Sequence, residues 1–166
     1  NTLTQSSGLL NGTGTLTVSG LSTLSGGRES GAGTTIAQGG ASFSGNNFSL
    51  DGGRTLQLVG SSSTALAAAS VSINLNGGTD PGSGILTIAS GASFTDQTTN
   101  GLGIFASFSS GADDGSTAVM NNFGTFTKTG GATSTISTTF NNSGTVGAPT
   151  VDVQSGTLNL SGGGTD

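Results

Sequence analysis

The stretch Asn121–Gly131, NNFGTFTKTGG, is echoed twenty residues on by NNSGTVGAPT, which begins at Asn141. In both, an Asn pair, one further residue and Gly-Thr precede an apolar side chain, Phe126 or Val146. Gly turns corners because it accepts positive φ without a Cβ clash, and Asn favours turns by bonding its own backbone. Thr-Phe-Thr after Gly124 alternates with the period of a half-buried strand. The phrase therefore reads as a corner, an outward Thr and an inward Phe126 or Val146, returning once per turn of a repeat.

Related strand-turn-strand phrases run along the whole chain. They are GTLTVSGLSTLSG (14–26), GTTIAQGGASFSG (33–45), RTLQLVGSSSTAL (54–66), GILTIASGASFTD (84–96), GTFTKTGGATSTI (124–136) and TVDVQSGTLNLSG (150–162). Their first apolar elements end at Val18, Ile36, Leu58, Ile88, Lys128 and Val153. SVSINL (70–75) and GLGIFASF (101–108) fall in the longer intervals and read as turns of their own. The spacing then becomes roughly 20 residues, the scale of solenoid repeats, giving about eight coils.

Period two assigns the faces. Leu16 and Val18 oppose Thr15 and Thr17, Leu56 and Leu58 oppose Thr55 and Gln57, and Leu86 and Ile88 oppose Thr87. So few large apolar residues fill a narrow tube better than the space between two sheets. The expected fold is all-β, one domain over residues 1–166, a single-chain parallel β-helix. An antiparallel β-sandwich is the competing architecture, since it too shows many short strands between turns.

Composition narrows the function classes. The 166 residues include 32 Gly but only 2 Pro and no strict Gly-X-Y repeat, which excludes collagen. Scarce charge and strand-like runs argue against disorder. With net charge −5 and only Arg28, Arg54 and Lys128 basic, nothing neutralises a phosphate backbone or an anionic bilayer. No apolar run approaches the roughly 20 residues of a membrane helix. The absence of Trp and Tyr removes the girdles of a membrane barrel. Without Cys or His there are no disulfides, thiolate or imidazole metal ligands, or histidine bases. The chain opens at Asn1 without Met, so a removed leader or a trimmed chain is expected. Neither NTLTQSSGLL nor TLNLSGGGTD carries a capping signal, so a segment of a longer array or a stacking subunit is expected.

Four phrases carry a family resemblance: NNSGTV, VDVQSGTLNLSGGGTD, LNGTGTLTVSG and GILTIASGASF. They are similar to bacterial secreted β-helix repeats, as in autotransporter passengers and filamentous-haemagglutinin-type adhesins. The resemblance is rhythmic and covers most of the chain. It implies a right-handed parallel β-helix, export to the cell surface, and a structural role as adhesin stalk or surface or matrix filament. From the residues themselves, the lack of a convergent set leads us to expect no catalysis and no cofactor, and the uncapped ends lead us to expect end-to-end or lateral self-association. Lys128 departs from the pattern by occupying an apolar position; its amine is expected to reach solvent from a strand end.

Candidate site residues fall into four sets. Asn46, Asn47, Asn121, Asn122, Asn141 and Asn142 are candidates for corner ladders along the stack, or are ordinary turn asparagines. Thr15, Thr17, Thr35, Thr87, Thr125 and Thr127 form an expected outward file suited to glycan or ice, although Thr is also a common exposed strand residue. Calcium would use Asp80, Asp113 or Asp114, but GGTDPGSGI (77–85) reverses the Gly-Asp order of the nonapeptide calcium repeat. Polysaccharide lyase or hydrolase chemistry needs convergent carboxylates and cations. Asp113 and Asp114 read instead as a loop tip in SSGADDGST, and Arg54 is expected to pair with Asp51 across a Gly-Gly turn. No catalytic set emerges.

Overall fold

A computed structural model describes residues 1–65, 68–107, 113–144 and 149–166. Val146, expected to point inward, and Phe108 lie outside these residues.

The described chain is all strand and turn, without a helix. It opens with β1 (Leu3–Gln5), β2 (Leu9–Asn11) and β3 (Thr15–Val18). The long β4 (Ser22–Ser30) is followed by β5 (Thr34–Ala37), and the long β6 (Ala41–Leu50) by β7 (Thr55–Leu58). Next come β8 (Ser61–Thr64), β9 (Ser70–Asn74) and β10 (Ile85–Ile88), then β11 (Ser93–Asp96), β12 (Gly101–Phe105) and β13 (Val119–Asn122). β14 (Thr125–Lys128), β15 (Thr133–Ile136) and β16 (Thr139–Asn142) precede β17 (Thr150–Val153) and β18 (Thr157–Leu160).

Every strand pair among the described residues is parallel, and each strand meets its counterparts in the rungs before and after it. The one antiparallel contact described is an isolated bridge between Asp51 and Ser83. The stacking is that of a β-helix, and no hairpin-linked sandwich pairing forms among the described residues. β1, the first half of β4, the first half of β6, β8, β11, β14 and β17 make one face. β2, the second halves of β4 and β6, β9, β12, β15 and β18 make a second. β3, β5, β7, β10, β13 and β16 form a separate sheet, the third face.

Two expectations about the repeat change. SVSINL and GLGIFASF are not turns of their own; they contribute β9 and β12, second-face strands within their rungs. The extra length of those rungs lies beyond them, in corner loops before β10 and β13. There Asn76 Nδ2 donates to Ser107 O at 2.8 Å and Ser83 Oγ donates to Asp113 Oδ2 at 2.7 Å, so one loop rests on the next. Similar phrases also occupy different faces: GTLTV and GILTI lie on the third, GTFTK and TVDV on the first. First-face steps are therefore uneven. Ser42 pairs with Ser63, Ser63 with Thr95, Thr95 with Thr127 and Thr127 with Asp152.

The tube is filled by like on like. Leu56, Leu86, Met120 and Phe140 stack through successive third-face rungs, and Ile73, Ile104 and Ile136 through the second. Phe94 stacks on Phe126 with ring centroids 5.6 Å apart and planes 8° from parallel. Glycine makes a tight corner at Gly40, whose φ is +82°. A Cβ there would meet Ser61 O at 1.8 Å, so only glycine lets the next rung approach.

Candidate functional site

The most regular outward feature is a hydroxyl file on the first face. Register runs Thr4, Thr23, Ser42, Ser63, Thr95, Thr127 and Asp152. Parallel strands lie roughly 4.8 Å apart, so the file is spaced at that interval along the tube. A second short file, Ser61, Ser93, Thr125 and Thr150, runs beside it.

The six expected threonines do not form one file. Thr125 and Thr127 belong to the first face, whereas Thr15, Thr17 and Thr87 lie on the third. Thr35 points inward and is fully buried. Its register partner is Leu16: GTTIA pairs residue for residue with GTLTV, one residue off the expected match of Ile36 with Val18, and Ile36 turns outward beside Thr17 and Gln57. A one-residue slip moves every side chain of a strand to the opposite face. Thr87 is mostly covered, and with Gln57, Ala89, Ser90 and Phe123 lines an outer groove of about 610 Å³.

Four of the six asparagines do come together. Asn121 pairs in register with Asn141, and Asn122 with Asn142. Asn141 Nδ2 donates to Asn121 Oδ1 at 3.0 Å, and Asn122 Nδ2 donates to Asn142 Oδ1 at 2.8 Å. Inward-facing Asn122 also donates to Thr150 O and accepts from the Gly124 N–H, so it locks the corner into β14. Asn46 and Asn47 do not join them. They are exposed where β6 bulges between its two faces, with Asn47 opposite Gly26.

Each of the three cations pairs with a buried carboxylate. Arg54 does not pair with Asp51 across the turn. Its Nε lies 3.4 Å from Glu29 Oε2, Nη2 donates to Thr35 Oγ1 at 2.8 Å, and Nη1 donates to Gly12 O at 3.3 Å. Thr35 in turn donates to Glu29 Oε2. Arg28 Nη1 is the partner of Asp51 Oδ2, at 3.5 Å. Lys128 does not reach solvent. It is fully buried, with Nζ 3.4 Å from Asp96 Oδ2 and donating to Gly130 O at 2.8 Å. The reason is period two: Lys128 shares the inward side with Phe126, and its register partner one rung back is Asp96. For the Lys128–Asp96 pair the sequence signal was a lysine in an apolar position of its strand; Arg54 and Asp51 lie at corners outside the strands and gave no such signal.

Asp80, Asp113 and Asp114 do not converge. Asp80 accepts from Ser30 Oγ, Asp113 from Ser83 Oγ and the Gly115 N–H, and Asp114 from the Ser116 N–H. Among the described residues no three acidic side chains form a group able to hold a metal ion. Asp51 is the perturbed acid of this corner. Burial pushes its carboxyl above the ordinary value, and the Asp80 carboxylate adds to the rise. The N–H groups of Asp80 and Gly52 and the Arg28 guanidinium oppose it.

A raised native pKa means that the folded state holds the Asp51 proton where the unfolded chain has lost it. Asp51 therefore opposes folding above its native pKa, and stability is recovered as pH falls through that value toward the unfolded one. Asp51→Asn is expected to remove this component. Urea melts across the acidic range would show the difference between wild type and variant changing sense or flattening only within that window. An unchanged difference at every pH would contradict it.

No family model, curated protein or solved structure matches the chain.

Proposed function

We propose that the chain forms a secreted structural β-solenoid, right-handed and about seven rungs deep, that serves as an adhesin stalk or a surface filament element and self-associates through its outermost rungs. The observation that carries this reading is the state of the outermost rungs. β17 and β18 end the larger sheet, and their inward side chains Val153 and Leu160 are 44% and 45% exposed. A hollow of about 400 Å³ opens there between Phe140, Val151, Leu160 and Gly164. At the opposite end β1 and β2 pair on one side only, and their inward Leu3 and Leu10 are half-buried. Unpaired parallel edges with apolar side chains template a further rung.

The expected result is concentration-dependent growth of rods in sedimentation velocity and electron microscopy. Leu160→Lys, which places a charge on the open edge, suppresses it. A compact monomer at millimolar concentration would overturn the self-assembling reading. A second reading, a glycan-binding module, is favoured by the groove at Thr87 and Phe123, whose volume lies within the range of small-ligand sites. Retention on immobilised polysaccharide, lost on Thr87→Lys, would mark that function.

A further inference from the structure

We propose that Lys128 and Asp96 condense to an intramolecular amide that ties two successive rungs covalently. Both side chains are 0% exposed, and they face each other across directly paired strands. A buried pair of this kind is expensive to keep charged, because each ion has given up its hydration. The arrangement around it goes further than charge neutralisation. Asp96 Oδ1 accepts two hydrogen bonds, from the Thr98 N–H at 3.0 Å and from Thr98 Oγ1 at 2.7 Å. Asp96 Oδ2 accepts from Ser134 Oγ and lies beside Lys128 Nζ, which the Gly130 carbonyl holds from its other side.

These groups match the parts of an acyl substitution. A proton passes from the Lys128 ammonium to the Asp96 carboxylate, leaving an amine and a carboxylic acid. The Nζ lone pair then attacks Cγ, and the carbonyl π electrons move onto Oδ1. There the two Thr98 donors act as an oxyanion hole, already directed at the oxygen that gains charge. One Nζ proton moves to Oδ2, the Cγ–Oδ2 bond breaks with its electrons, and Oδ2 departs as water while the Ser134 hydroxyl stabilises it. The products are one Nζ–Cγ amide and one water molecule. Nothing is oxidised or reduced, and no further reactant is required.

Fixing the amine against the carboxyl supplies the effective concentration that a free amine and acid lack. The dry interior disfavours the reverse hydrolysis. The amide closes the thirty-three residues from 96 to 128 into a ring. The inference stands on these side chains alone and does not depend on the functional reading above.

The test is the intact mass of the purified, folded full chain. It is expected to be lighter by one water than the sequence requires, and a peptic digest is expected to yield a branched peptide joining Asp96 to Lys128. Lys128→Arg keeps a cation but has no nucleophilic amine, so it is expected at full sequence mass. Full mass in the wild type, with the two peptides recovered separately, would reduce the pair to an ordinary buried ion pair and overturn the proposal. A missing water in Lys128→Arg as well would place the loss elsewhere, for example as a succinimide at Asp51-Gly52, and overturn it equally. A variant that does not fold leaves the wild-type digest decisive.

Discussion

Arg54→Met is expected to lower the stability of the fold by about 3–5 kcal/mol, the usual consequence of stranding one partner of a buried ion pair. Arg54 is the link between three rungs. It bonds Glu29 and Thr35 in the rung before its own and the Gly12 carbonyl in the rung before that. Glu29 is fully buried, and its Oε1 already has no hydrogen-bond partner. Without the guanidinium, its charge is held only by the Thr35 hydroxyl. For a chain of this size the loss corresponds to a fall in melting temperature of roughly 10 °C. Glu29→Leu combined with Arg54→Met is expected to restore most of it, because removing both charges also removes their desolvation cost. Thermal and urea unfolding of the two single variants and the double give the coupling directly. A loss below about 1 kcal/mol for Arg54→Met would show that water reaches Glu29 after all.

Phe94→Ala carries an effect of similar size, about 3–5 kcal/mol, by a different route. Phe94 is fully buried in the tube and touches an aromatic ring on either side. Phe43 lies 5.6 Å away with a tilt of 50°, and Phe126 lies 5.6 Å away and nearly parallel. Truncation removes both ring contacts and opens a void. The rungs above and below cannot close it, because their spacing is fixed by the backbone ladder. Phe105→Ala is the matched control. Phe105 lies on β12 on the outward side, opposite Asn74, and its loss is expected to cost less than about 1 kcal/mol. Equal effects of the two substitutions would mean that the aromatic column does not stabilise the fold.

How far the sequence could be read is clearest at three places. At Asn121 and Asn141, the twenty-residue echo identified true register partners, because no long loop lies between β13 and β16. At Thr35, alternation suggested an outward hydroxyl, and the rung below reversed it by pairing Thr35 with Leu16. Nothing within TTIA distinguishes the two phases, since Ile36 and Thr35 are both compatible with either side. At Lys128, period two correctly implied an inward position. The expectation of a solvated amine nevertheless failed, because the carboxylate that receives it lies thirty-two residues earlier.

The sequence by itself determined that this chain builds short alternating strands with glycine corners. Those features follow from local backbone geometry and from the period of the side chains. Only the tertiary structure decided which face each phrase occupies, where the rungs lengthen, and which carboxylate each cation meets. These depend on register between rungs, which is fixed by loop lengths and by partners distant in the chain. A slip of a single residue there exchanges the inside of a strand with its outside.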